Sequence, residues 1–68
     1  MTEREVWQAI DRSSEGASIS RMNLLSIANN RAVPPTLASR LRGFVTAREN
    51  AQKETFKLAD CKRVFTQV

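Results

Sequence analysis

Apolar side chains recur at helical spacing through three stretches of this 68-residue chain and alternate with polar ones in a fourth. Residues 33–45 read V-P-P-T-L-A-S-R-L-R-G-F-V. Leu37, Leu41, Phe44 and Val45 fall at i, i+4, i+7 and i+8, which makes one apolar stripe on a helix. Thr36, Ser39, Gly43 and Thr46 take the opposite face, and Arg40 and Arg42 flank the stripe on either side. A short polar face edged by arginines suits a major groove lined by phosphates. An ordinary amphipathic surface helix carries the same stripe, so the function depends on what surrounds it.

The first helix is expected over about 2–13. Thr2 serves as N-cap and Glu5, three residues on, completes a capping box. Val6, Ala9 and Ile10 form the core side, with Trp7 beside them; Ser13 to Gly16 then end the helix in a turn. A second helix, expected over about 18–29, starts at Ser18 or Ser20, either of which can cap it. Leu24, Ile27 and Ala28 follow at i, i+3 and i+4, and Asn29-Asn30 close it in left-handed geometry. Val33 precedes a proline and is pushed toward extended geometry. The third helix, about 35–46, begins at Pro34 or Pro35, since proline is pre-set for the first helical position. A link of about four or five residues between the second and third helices is the spacing of a helix-turn-helix.

Beyond Val45 the period changes. Asn50-Ala51-Gln52-Lys53 reads as a loop. Phe56 and Leu58 alternate with Thr55 and Lys57, a half-exposed strand. Residues 46–49 offer an antiparallel partner, giving a short hairpin, and Asp60 caps a last turn in which Cys61, Val64 and Phe65 pack inward. The competing reading is one helix from about Gln52 to Phe65, because Leu58, Cys61 and Phe65 also fall at i, i+3 and i+7. The expected core is Val6, Ile10, Leu24, Ile27, Leu37, Leu41, Phe44, Phe56 and Leu58. The fold class is mostly α with a small β-hairpin, an α+β domain spanning 1–68, with a plain helical bundle as second choice.

Charge sharpens the picture. The net charge is +4 and the pI about 10.2. Residues 1–15 carry four acidic and two basic side chains, whereas residues 16–68 carry nine basic against three acidic, a net of +6. Such asymmetry suggests an anionic partner for the second part of the chain. No apolar run approaches the roughly 20 residues of a membrane span. The polar, acidic start is not that of a signal peptide, and a cytoplasmic setting is expected. There is no histidine and one cysteine, Cys61, so neither a metal site nor a Cys–His or Ser–His nucleophile is expected. No glycine loop for phosphate and no carboxylate pair in an apolar setting is visible, and 68 residues leave no room for a catalytic cleft. No enzyme activity and no cofactor are expected.

In order, these elements resemble the winged helix-turn-helix regulators of bacteria and phage. In that family the third helix often runs as a small residue, Thr, an aliphatic, polar residues, Arg, Leu and a second hydrophobic pair; Thr36-Leu37-Ala38-Ser39-Arg40-Leu41-Arg42-Gly43-Phe44-Val45 is similar. Phe56-Lys57-Leu58-Ala59-Asp60 looks like the strand leaving the wing, and Arg4-Glu5-Val6-Trp7-Gln8-Ala9-Ile10 like the opening helix. The usual glycine after the recognition helix is missing, with Ala47 or Glu49 in its place, and the wing loop is short. The resemblance implies double-stranded DNA as partner. Thr36, Ser39 and Arg40 would meet base edges, Arg40 as the bidentate guanine reader. Arg42, Arg31, Arg21 and Ser20 would hold phosphates, and Lys53 with Arg48 would form the wing contact. A footprint this small calls for a homodimer or a partner protein. The alternative is a protein-binding module of phage type, which redirects a host enzyme such as RNA polymerase through the acidic first helix and the edge of Trp7.

Overall fold

The computed structural model describes residues 1–49, 52 and 54–66. In order they form α1 (Glu3–Ser13), β1 (Ser18–Ser20), α2 (Arg21–Ala28), α3 (Pro35–Glu49), β2 (Thr55–Lys57) and α4 (Leu58–Thr66). Among the described residues, four helices and one two-stranded antiparallel sheet make a mostly helical α+β fold.

The capping box sets α1. Thr2 Oγ1 accepts from the Glu5 main-chain N at 3.2 Å, and Glu5 Oε1 accepts from the Thr2 main-chain N at 2.9 Å. Both bonds favour the ionised carboxylate, first the one from the Thr2 backbone, and they hold the Glu5 pKa below its usual value. After α1 the chain reverses at Gly16, whose φ of +62° suits a residue without Cβ. Glu15 and Ser18 exchange main-chain bonds of 2.8 and 3.3 Å across this turn.

Two sequence expectations are corrected at this point. Ser18 does not begin the second helix: Ser18-Ile19-Ser20 is a strand, and only Ser20 caps α2, its Oγ accepting from the Asn23 N at 3.2 Å. Nor do residues 46–49 pair with the 54–58 strand. They are the last turn of α3, and β2 pairs instead with β1, in the register Ser18↔Lys57, Ile19↔Phe56, Ser20↔Thr55. The reason is side-chain chemistry. Ala47, Arg48 and Glu49 are strong helix formers, and in helix Arg48 falls at i+4 from Phe44 and stacks on its ring. Ile19 and Phe56 in turn bury each other, at 1% and 3% exposure. Main-chain bonds of 2.8 Å from Leu58 N to the Ala17 carbonyl and from Arg21 N to the Glu54 carbonyl continue the pairing at both ends.

Two helix ends also differ from expectation. Asn29 closes α2 at φ −89°, ψ 1°, in right-handed geometry, because its N–H still reaches the Leu25 carbonyl at 2.9 Å. Asn30 builds the following turn: its carbonyl accepts from Val33 N at 3.1 Å and its Oδ1 from Ala32 N at 2.9 Å. The tail is neither one turn nor a helix from Gln52. Gln52 sits at φ +56°, outside helical geometry, and α4 runs nine residues from Leu58. Asn50, Ala51 and Lys53 of the expected loop lie outside the described residues.

One core joins every element: Val6, Ile10, Ile19, Leu24, Ala28, Val33, Leu37, Ala38, Leu41, Val45, Phe56, Cys61 and Val64. Three expected core residues, Ile27, Phe44 and Leu58, are half-buried against it. Ile27 and Leu58 stand near the ends of α2 and α4 and Phe44 at the edge of the α3 stripe, while Ala28, Ala38 and Val45 are buried. Burial, then the adjacent Asp60 carboxylate, pushes the Cys61 thiol up to about 11 against a weaker opposing pull from Arg48. Such a thiol is a poor nucleophile at neutral pH.

Candidate nucleic-acid interface

The face that matters is on α3. Pro35 begins it, and Ala38 N closes the first turn on the Pro34 carbonyl at 2.9 Å. Leu37, Ala38, Leu41 and Val45 point into the core at no more than 6% exposure. Their burial fixes the helix about its axis, so Thr36, Ser39, Arg40, Arg42, Gly43, Thr46 and Ala47 are all exposed. At 3.6 residues per turn, Ser39, Gly43 and Thr36 form the middle of that face, and Arg40 and Arg42 stand at its opposite edges, about 160° apart. Thr46 uses its hydroxyl internally, donating to the Arg42 carbonyl at 2.9 Å.

The two edges have different surroundings. Arg42 reaches back to α2, where its Nη1 donates to the Ala28 carbonyl over a long 3.4 Å. That carbonyl lies at the C-terminus of a helix with no basic residue in its own last turn, so Arg42 supplies the cation from a neighbouring element. On the other edge, Arg40 lines an opening of about 330 Å³ with Phe44, Arg48, Asp60, Arg63 and Val64. The Arg48 guanidinium lies over the Phe44 ring with its Cζ 3.9 Å from the centroid, and the Phe44 and Phe56 ring centroids are 5.4 Å apart.

Of the residues proposed from sequence, the fold therefore brings Thr36, Ser39, Arg40 and Arg42 onto one face and Arg48 beside it. Ser20 and Arg21 lie apart, at the start of α2, where they line a separate opening with Met22, Leu25 and Glu54. Ser20 is occupied as the α2 cap. Arg31 is exposed on the six-residue link between α2 and α3. Lys53 lies outside the described residues. Sequence reasoning missed Arg63; treating the tail as nine residues of helix, with Cys61 and Val64 inward, turns Arg63 outward.

Among the described residues no cluster of His, Cys, Asp and Glu is arranged to hold a metal ion, and no helix is long and apolar enough to cross a membrane. No family model, curated protein or solved structure matches this chain.

Proposed function

We propose that this chain is a small DNA-binding transcriptional regulator of the winged helix-turn-helix type, acting in the cytoplasm with α3 in the major groove of double-stranded DNA. The observation that carries the reading is the exposed face of α3: small polar residues in the middle, an arginine at each edge, and a firmly buried opposite side. Side chains as short as Thr36 and Ser39 let a helix approach base edges closely, and Arg40 reaches further, with a planar fork suited to guanine. The order α1, β1, α2, α3, β2 supports the same reading, with β2 in the place of the strand returning from a wing, although the six-residue link from α2 is longer than the four or five expected from sequence. Affinity from one such face is small, and a second copy of the chain on an adjacent half-site raises it.

The test is fluorescence anisotropy with a random-sequence duplex at several salt concentrations. Binding tighter than about 100 μM at low salt, weakening linearly in log–log form as salt rises, is expected. On a preferred site Arg40→Ala costs roughly 1–3 kcal/mol and relaxes specificity, and Arg40→Lys does not restore it because the fork is lost. No duplex binding at that level ends the reading. A protein-binding module then takes its place, favoured by Trp7 and Phe65, which meet edge-on at 5.5 Å beside an opening of about 180 Å³ lined also by Glu3, Arg4 and Lys62.

A further inference from the structure

We infer that the opening between α3 and α4 seats a backbone phosphate of the bound duplex, gripped by Arg48 and Arg63. This rests on the DNA-binding reading and adds to it a contact, independent of sequence, that α4 supplies. Arg40, Phe44 and Arg48 follow one another at i, i+4 and i+8, so the opening runs along one edge of the exposed face of α3. A strand whose bases meet Thr36 and Ser39 carries its backbone along such an edge.

Charge singles this opening out. Its described lining holds three guanidiniums and one carboxylate, Asp60. The neighbouring opening, about 440 Å³, shares Arg48 and Asp60 but balances Arg48 and Lys57 against Glu54 and Asp60. The two openings thus have a wall in common and differ in the formal charge of their described lining, +2 for the first (three arginines, one aspartate) and zero for the second (two cations, two carboxylates), and a cationic lining favours an anion. The half-buried Phe44 and the buried Val64 add apolar surface to the first, and apolar surroundings strengthen the attraction between an anion and a guanidinium.

Geometry adds pre-organisation. The Phe44 ring holds the Arg48 guanidinium at 3.9 Å and is itself backed by Phe56. Little side-chain freedom is then lost when a ligand arrives. A planar guanidinium offers two parallel N–H groups to two phosphate oxygens. The opening, about 330 Å³, has room for a phosphate group.

The test uses the full chain, a set of duplexes of equal length and different sequence, and a salt series. Arg63→Gln is expected to weaken every duplex by the same factor and to lower the salt slope by about one. Arg48→Gln does the same, and thermal melting of each variant separates binding loss from unfolding. Arg12→Gln, on exposed α1, keeps the wild-type slope. If Arg63→Gln binds all duplexes with the wild-type slope while Arg40→Ala still loses affinity, the phosphate seat is wrong and the DNA reading stands. If wild type binds no duplex, the inference falls with that reading. Should inorganic phosphate alone then shift the Arg48 and Arg63 Nε–Hε resonances, the opening takes free phosphate and not a nucleic-acid backbone.

Discussion

At one edge of the α3 face the Arg42 guanidinium turns back to the Ala28 carbonyl; at the other, Arg40 shares an opening with Arg48 and Arg63. The two arginines are two positions apart in sequence and both exposed. What separates them is the element each one meets. Arg42 meets a helix C-terminus, which carries about half a negative charge and welcomes a cation. Arg40 opens onto a space that α4 also lines, with Arg63 and the Asp60 carboxylate. The same residue type on the same helix therefore contributes to the scaffold at one edge and gathers positive charge at the other.

The change that removes both edges at once is Leu41→Ala. Leu41 is fully buried beneath the face, and truncating such a leucine costs about 2–5 kcal/mol. In a domain this small, much of the population then unfolds. Urea unfolding of the variant measures the loss. An unchanged midpoint would show that Leu41 does not hold α3 in place, and the contrast between the edges would lose its structural basis.

The stripe beneath α3 is legible in sequence because it is local: Leu37, Leu41 and Val45 repeat at helical spacing. The Thr2–Glu5 box and the inward Phe56 are local too. What was not legible is non-local. Ser18-Ile19-Ser20 holds a single apolar residue between two good helix caps, so nothing nearby marks it as a strand; its partner lies 35 to 39 residues onward in the pairs formed with Thr55, Phe56 and Lys57. Residues 46–49 offer a strand partner in sequence only because they precede the alternating 54–58 segment, whereas their helix propensity and the Phe44–Arg48 stack favour α3. For the candidate site, periodicity finds the exposed face and its arginines. It does not tell which arginine meets the end of α2 and which meets α4, since that depends on how the helices pack.

Arg42→Ala sharpens the comparison. Removing a cation from the end of α2 costs about 1 kcal/mol or less of stability, given the partial exposure and the long bond. Arg40→Ala leaves the melting temperature close to wild type. Under the proposed function both variants are expected to lose duplex affinity, so the stability difference is what distinguishes the edges. Equal melting of the two would mean that the Arg42–Ala28 contact contributes nothing and that the edges are alike.

Gly43 gives the smallest effect and the finest test, because it sits between the two edges. An exposed glycine inside a helix costs about 0.8–1.0 kcal/mol relative to alanine, and a Cβ built at Gly43 meets nothing within 4 Å. The fold alone thus gains from Gly43→Ala, and chemical unfolding should show a variant more stable by nearly that amount. Binding should move in the opposite direction. If the middle of the face lies against base edges or sugar, the added methyl occupies space the partner needs, and duplex affinity drops while stability rises. A variant that is stabilised and binds DNA as wild type does would move the contact surface away from the middle of α3. The edge formed by Arg40 and Arg48 of α3 with Arg63 of α4 would then be the surface that meets the duplex.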